Sequence, residues 1–94
     1  MSRTVYLDAR RLKERREAHT YLSKMLSLPS YYGNNLDALY DCITEMSGCS
    51  IKILHIEEAG LSGTYGDRIL KVLEEGAEQN SGVEVKKVFR ESLS

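Results

Sequence analysis

The stretch SIKILHIEE, Ser50 to Glu58, clusters Ile51, Ile53, Leu54 and Ile56 and carries the strongest strand signal in the chain. β-Branched side chains pack well on a pleated surface. A near-continuous apolar run also predicts a strand buried on both faces, as in a parallel sheet covered by helices. The remaining elements follow by working outward from this strand.

Upstream, TVYLDA (Thr4 to Ala9) opens with β-branched and aromatic residues and reads as a first strand. Asp8 is placed to cap the helix that follows, expected from about Leu12 to Leu26. Leu12, Ala18 or His19, Leu22, Met25 and Leu26 recur close to helical spacing, with Arg and Glu on the other face. Leu28-Pro29 is expected to stop it, because proline disfavours helical geometry in the residue before it. Gly33-Asn34-Asn35 is turn chemistry, with glycine free to take positive φ and asparagine suited to capping. A second helix is then expected over about Leu36 to Met46, closed by Ser47-Gly48.

Downstream, Ala59 to Gly66 reads as a turn or a short helical link. Asp67 to Glu78 is a further helix, with Ile69, Leu70, Val72, Leu73 and Ala77 toward the core. Asn80 to Gly82 is a loop, and Val83 to Phe89 alternates like a closing strand, after which the last five residues are expected to fray. The order β-α-α-β-(α)-α-β predicts a small α/β domain: a three-stranded parallel β-sheet joined by right-handed helical crossovers, with helices packed against it. Residues 1–94 are read as one domain. Periodicity does not say which strand is central, although Ser50 to Glu58 looks the most buried.

Composition limits the function classes. Hydrophobic content of 41% with 29% charged residues is that of an ordinary soluble domain, and no apolar run reaches the roughly 20 residues that span a bilayer. The basic N-terminal stretch has no apolar segment after it, so no signal peptide is expected and a cytoplasmic setting is. Two cysteines, Cys42 and Cys49, are read as free thiols in a reducing compartment. With only two distant histidines beside them they form no zinc pattern, and glycine-rich phosphate loops are absent, so no metal or cofactor is expected.

The net charge of −1 hides an uneven layout. Residues 1–30 hold seven bases and three acids; residues 31–50 hold three acids and no base; residues 51–94 hold six bases and eight acids. Within the acidic segment Asp37, Asp41 and Glu45 recur every fourth residue, and no Lys or Arg occurs from residue 25 to residue 51. Like charges at that spacing cost a helix roughly 0.2–0.5 kcal/mol per pair. Such a patch speaks to a positively charged partner rather than to the fold.

The segment LPSYYGNNLDALYDCIT, Leu28 to Thr44, closely resembles the barstar family, the intracellular inhibitors of barnase-type ribonucleases. Family members carry a Leu-Pro-x-Tyr-Tyr-Gly-x-Asn-Leu-Asp-Ala-Leu-Trp-Asp-Cys-Leu-Thr pattern, and the strong match covers about seventeen residues. The resemblance implies a three-stranded parallel sheet and a helix that plugs a nuclease active site. It implies that Asp41 enters the nuclease's phosphate-binding pocket and meets its arginines and catalytic histidine. Asp37 is then a second interface acid, and Tyr31 packs on the active-site surface. Gly33, Asn35, Tyr40 and Thr44 occupy further positions in or beside the contact. In the third main helix, KVLEEGAE resembles the family's Val-Phe-Arg-Glu-Ala, which aligns Glu75 with a third contacting acid; by spacing Glu74 serves equally.

Three departures are visible. Tyr40 stands where the motif commonly has tryptophan, Asn34 replaces the usual acid after the glycine, and the chain is near neutral where the familiar inhibitors are markedly acidic. Long-range steering is therefore expected to be weaker, with attraction concentrated at the patch.

Simpler readings exist for several of these residues. Asp37 near a helix N-terminus is favoured by the helix dipole alone, and Asp41 could belong to a solvated face. One of Tyr31 and Tyr32 is expected to seal the loop against the core, Tyr32 being the better placed, with Tyr31 facing out. Cys42 with His19 or His55 would form a Cys/His pair, but no third orienting group is apparent, so a structural cysteine is the reading. RRLKERRE, Arg10 to Glu17, interleaves acids and lacks stacking aromatics, which makes it a solvated helix face rather than a nucleic-acid patch.

The expected protein is a non-enzymatic ribonuclease inhibitor, free as a monomer, that binds a barnase-type extracellular ribonuclease 1:1. Neither nucleic acid nor membrane is a direct partner. The alternative is a barstar-like module for a different basic protein or toxin.

Overall fold

A computed structural model describes residues 3–89. The tail expected to fray lies outside the described residues. Strand β1 (Arg3–Asp8) leads through a 3-10 turn (Ala9–Arg11) to helix α1 (Arg15–Met25) and then α2 (Leu36–Glu45). Strand β2 (Cys49–Leu54), the short helix α3 (Ile56–Ala59), helix α4 (Tyr65–Glu78) and strand β3 (Val83–Lys87) complete the order. The three strands form a parallel sheet with β2 in the middle. Val5 pairs with Ile51, Leu7 with Ile53, and Ile51 with Val85.

The sheet is covered on one face only, which corrects the expectation of a strand buried on both. Cys49, Ile51 and Ile53 are buried while Ser50, Lys52 and Leu54, alternating with them, are half-exposed. Tyr6 on β1 stands 53% exposed on the same outer side as Thr4 and Asp8. The physical reason is topological. Strand order β1-β2-β3 moves in one direction across the sheet, and two crossovers of one hand then place their helices on one side. Val5, Leu7, Ile51, Ile53 and Val83 meet Leu22, Leu39, Ile43, Ile69 and Leu73 in a shared core.

Strand β2 ends four residues sooner than expected. His55 adopts a left-handed conformation (φ 62°), which turns the chain, and Ile56 to Ala59 continue as a helical turn. Short apolar runs read equally well as strand or buried helix, and the turn at His55 decides between them here.

Helix α1 begins later than expected, because Asp8 caps the 3-10 turn through the Arg10 amide and Glu14 caps α1 through the Glu17 amide. It ends at Met25 rather than at the proline. Ser27 takes a left-handed conformation (φ 53°), and the Leu28 amide donates to the Ser23 carbonyl at 3.0 Å. That is a Schellman closure with serine in the position glycine usually fills.

Helix α2 starts at Asn35, whose side-chain oxygen accepts from the Ala38 amide at 2.8 Å. Asn34, not Gly33, takes the left-handed conformation in the preceding turn (φ 55°), since asparagine tolerates it. The C-terminus of α2 also differs from expectation: Met46 is extended, and Gly48 has no positive φ. The Asn80 side-chain amide, from the loop after α4, donates to the carbonyls of Ile43 at 3.0 Å and Met46 at 2.8 Å. A side chain distant in sequence thus satisfies the Met46 carbonyl and adds a second donor to Ile43, whose carbonyl already accepts from the Met46 amide at 3.3 Å.

Candidate functional site

The back of α2 is set by Leu39 and Ile43, both fully buried against the sheet and α4. A Cβ added at Gly76 of α4 would lie 2.7 Å from Ile43 Cγ2, closer than side chains approach, so glycine lets the two helices come together. Rotation by 100° per residue then turns Asp37, Asp41 and Glu45 to solvent, and all three are exposed. None of these carboxylates makes an ion pair among the described residues. Asp37 and Asp41 are one turn apart, about 6 Å along the axis.

The loop before α2 is held from behind. Tyr32 is buried and its hydroxyl lies 2.6 Å from His19 Nδ1, while His19 Nε2 lies 2.8 Å from the Tyr65 hydroxyl. A neutral imidazole donates one of these bonds and accepts the other. Burial, with the Arg15 charge adding to it, holds His19 below its ordinary pKa and therefore neutral. Burial also pushes the Tyr32 phenol well above the usual tyrosine range. With Tyr32 anchored, the chain carries Tyr31 outward, where it is 83% exposed. The expected division of labour between the two tyrosines holds.

Tyr31, Gly33 and Asp41 line one groove of about 500 Å³, between the Leu26–Gly33 loop and α2, together with Cys42 and Glu45. Arg3, whose guanidinium donates to the Leu26 carbonyl at 2.8 Å, closes its margin. Two carboxylates and an exposed aromatic ring over a partly apolar floor suit a cationic, planar side chain. Burial and the Glu45 and Asp41 charges push the Cys42 thiol up, so it stays protonated at neutral pH; His19 is bonded to tyrosines instead, and His55 Nδ1 lies 2.6 Å from a Glu58 carboxylate oxygen. The Cys/His pairing weighed from the sequence is thus not assembled. Both cysteines are free, and no group of three or more metal-ligating side chains occurs among the described residues.

The other sequence-predicted residues divide. Asn35 and Asp37 line a second depression at the start of α2, with Arg15, Tyr65 and Arg68. Tyr40 and Thr44 are partly exposed on α2 and line neither cavity, and the Thr44 hydroxyl donates to the Asp41 carbonyl at 2.8 Å. On α4, Glu74 lies 3.7 Å from Lys87 of β3, whereas Glu75 is exposed and makes no ion pair among the described residues. Geometry therefore separates two acids that spacing left equivalent. Sequence reasoning missed the Tyr32–His19–Tyr65 brace and the Asn80 cap. The one local signal was His19 at a position alternating with Ala18 on the apolar face of α1.

No helix of the described residues is long and apolar enough to cross a membrane. Residues 2–90 match the family model described as Barstar (barnase inhibitor). The chain is also 32% identical over 80 residues to a Bacillus subtilis (strain 168) protein named "Putative ribonuclease inhibitor YrdF", covering 82% of this chain and 88% of the relative. With the three-stranded parallel sheet and the Leu28–Thr44 motif already in place, these matches show that the chain belongs to the barstar family.

Proposed function

We propose that this protein is a non-enzymatic inhibitor that occludes the active site of a barnase-type ribonuclease, one-to-one, with α2 and the loop before it. The observation that carries the reading is the meeting of Asp41 and Tyr31 on the two walls of one groove, in a stretch without a single base from residue 25 to residue 51. A ribonuclease must gather cationic side chains around the scissile phosphate, so its empty site is a positive concavity. Two carboxylates a helical turn apart imitate successive phosphates, and arginine meets them through short, often bidentate bonds. Asp37 and Asp41 supply the charge, Tyr31 and Tyr40 the contact area, and Gly33 and Asn35 shape the approach. Thr44 lies beside Asp41, and Glu75 adds an acid from α4.

Inhibition of this kind needs no chemistry from the inhibitor. Opposite fields speed encounter, and close desolvated charge pairs slow release. The near-neutral net charge makes steering depend on the local patch. The protein acts in the cytoplasm as a monomer, protecting the cell from a nuclease that is otherwise exported.

The test is to titrate the full chain into a panel of small microbial ribonucleases and follow RNA cleavage. At least one enzyme is expected to be inhibited at one equivalent. Absence of binding and inhibition across a broad panel would sink the proposal.

A further inference from the structure

The depression at the start of α2, about 460 Å³, brings together side chains from three helices. Arg15 of α1 and Arg68 of α4 both approach the Tyr65 ring, with guanidinium carbons 6.0 and 5.9 Å from its centroid. Both arginines are exposed, and neither guanidinium makes an ion pair or a hydrogen bond among the described residues. Tyr65 itself is fixed, because its hydroxyl is bonded to the buried His19. Asn35 and Asp37 form the remaining wall. The cluster therefore presents two unneutralised cations against one carboxylate, on a braced aromatic platform, next to the acidic face.

We infer that the Arg15–Tyr65–Arg68 cluster receives an acidic side chain of the partner protein, which makes the binding surface two-signed. The inference rests on reading α2 as the partner-binding element. A partner that fits carries cations opposite Asp37 and Asp41 and, beside the first of them on the side of α1 and α4, one carboxylate for the two guanidinium groups. Guanidinium forks suit a carboxylate geometrically, and charges of the wrong sign across an interface select against other partners. A nucleic-acid strand fits less well. Asp37 lies in the depression itself, and Asp41 and Glu45 continue along the helix without neutralisation. A polyanion laid across this region meets three like charges, whereas a single carboxylate meets only Asp37.

Two measurements test this separately from the inhibitor reading. The first titrates isotopically labelled full-length protein with a short blocked oligoglutamate peptide at low salt, and with a short oligouridine RNA in parallel. Saturable amide shifts are expected at Arg15, Leu36, Tyr65 and Arg68, and are expected to vanish in the Arg15→Gln/Arg68→Gln double variant, whose own spectrum reports that it is folded. The inference is overturned by an absence of saturable shifts there, by shifts that persist in the double variant, or by oligouridine saturating the same amides at lower concentration. The second measurement uses a ribonuclease that the unaltered chain inhibits. Arg15→Glu/Arg68→Glu is expected to slow association about tenfold, because rim charges act chiefly on the encounter rate. Unchanged association overturns the two-signed surface while leaving an Asp41-dependent inhibitor intact. Should no ribonuclease respond, the inhibitor reading fails, and the peptide titration still decides whether the cluster takes a carboxylate.

Discussion

On the back of α2, Ile43 lies against Gly76 so closely that an added methyl group on the glycine would come within 2.7 Å of it. On the front, Asp37, Asp41 and Glu45 stand in solvent without an ion-pair partner among the described residues. The back is specified by shape, since close-packed interiors respond to a single added carbon. The front is specified by charge, and it costs the isolated helix a few tenths of a kcal/mol per like-charged pair. One helix is thus answerable to two criteria. Substitutions on the back should register as folding stability, and substitutions on the front as binding.

The largest expected effect lies on the front. Asp41→Ala should weaken inhibition of a responsive ribonuclease by more than about a hundredfold, the scale for removing one partner of a desolvated ion pair. Its urea-unfolding midpoint should stay at or slightly above that of the parent. A fall in stability matching the fall in binding would erase the distinction between the two faces.

The reverse pattern is expected from Gly76→Ala. Overpacking costs about 1–3 kcal/mol, only partly offset by the up to about 1 kcal/mol that alanine gains over glycine in a helix. A lower urea midpoint should accompany a modest change in inhibition, as α2 shifts away from α4. Unchanged stability would mean that α2 is free to move and that its back does not position its front.

The brace behind the loop should give the protein a pH dependence. The native imidazole of His19 titrates below the ordinary value of 6.5, so between that value and its own lowered pKa the unfolded chain holds more protons than the native one. Stability should therefore fall as pH drops below 6.5, and His19→Gln should flatten that slope. Asp8, held below 3.8 chiefly by its hydrogen bond to the Arg10 side chain, adds a loss only at much lower pH. An unaltered slope in His19→Gln would assign the dependence to other groups.

The smallest effect is expected at Glu45. It lines the same groove as Asp41 but lies beyond the motif, at the exposed end of α2. Glu45→Ala should change inhibition far less than Asp41→Ala, within about 1 kcal/mol, as an exposed charge usually does. Equal losses would show that the partner engages α2 one turn further along than the motif implies.

Much of the fold was legible in the sequence because each element carries its own period. Alternation in VEVKK and the spacing of Ile69, Leu70 and Leu73 belong to single elements, and these residues face as expected. Where an element ended sooner than its period implied, one residue's backbone state was the cause. Ser27 and His55 take left-handed conformations that composition offers to many residues, and each set where its element ends. The candidate site was legible in part, since the acidic stack and the two tyrosines sit in one continuous segment. The groove they share with Arg3 and the basic cluster beside Asp37 were not, because those contributions come from β1, α1 and α4.

By itself the sequence determined the order of elements, a parallel arrangement of strands and an unbalanced run of acids on one helix. Tertiary structure alone decided that the sheet has an open face, that Gly76 sets the seat of α2, and that Asn80 closes its end. It also decided that Arg15 and Arg68 converge on Tyr65. The physical reason is that periodicity encodes which side of its own element a residue takes. Which sides of different elements then meet depends on how close their backbones can approach, and that is a property of the packed chain.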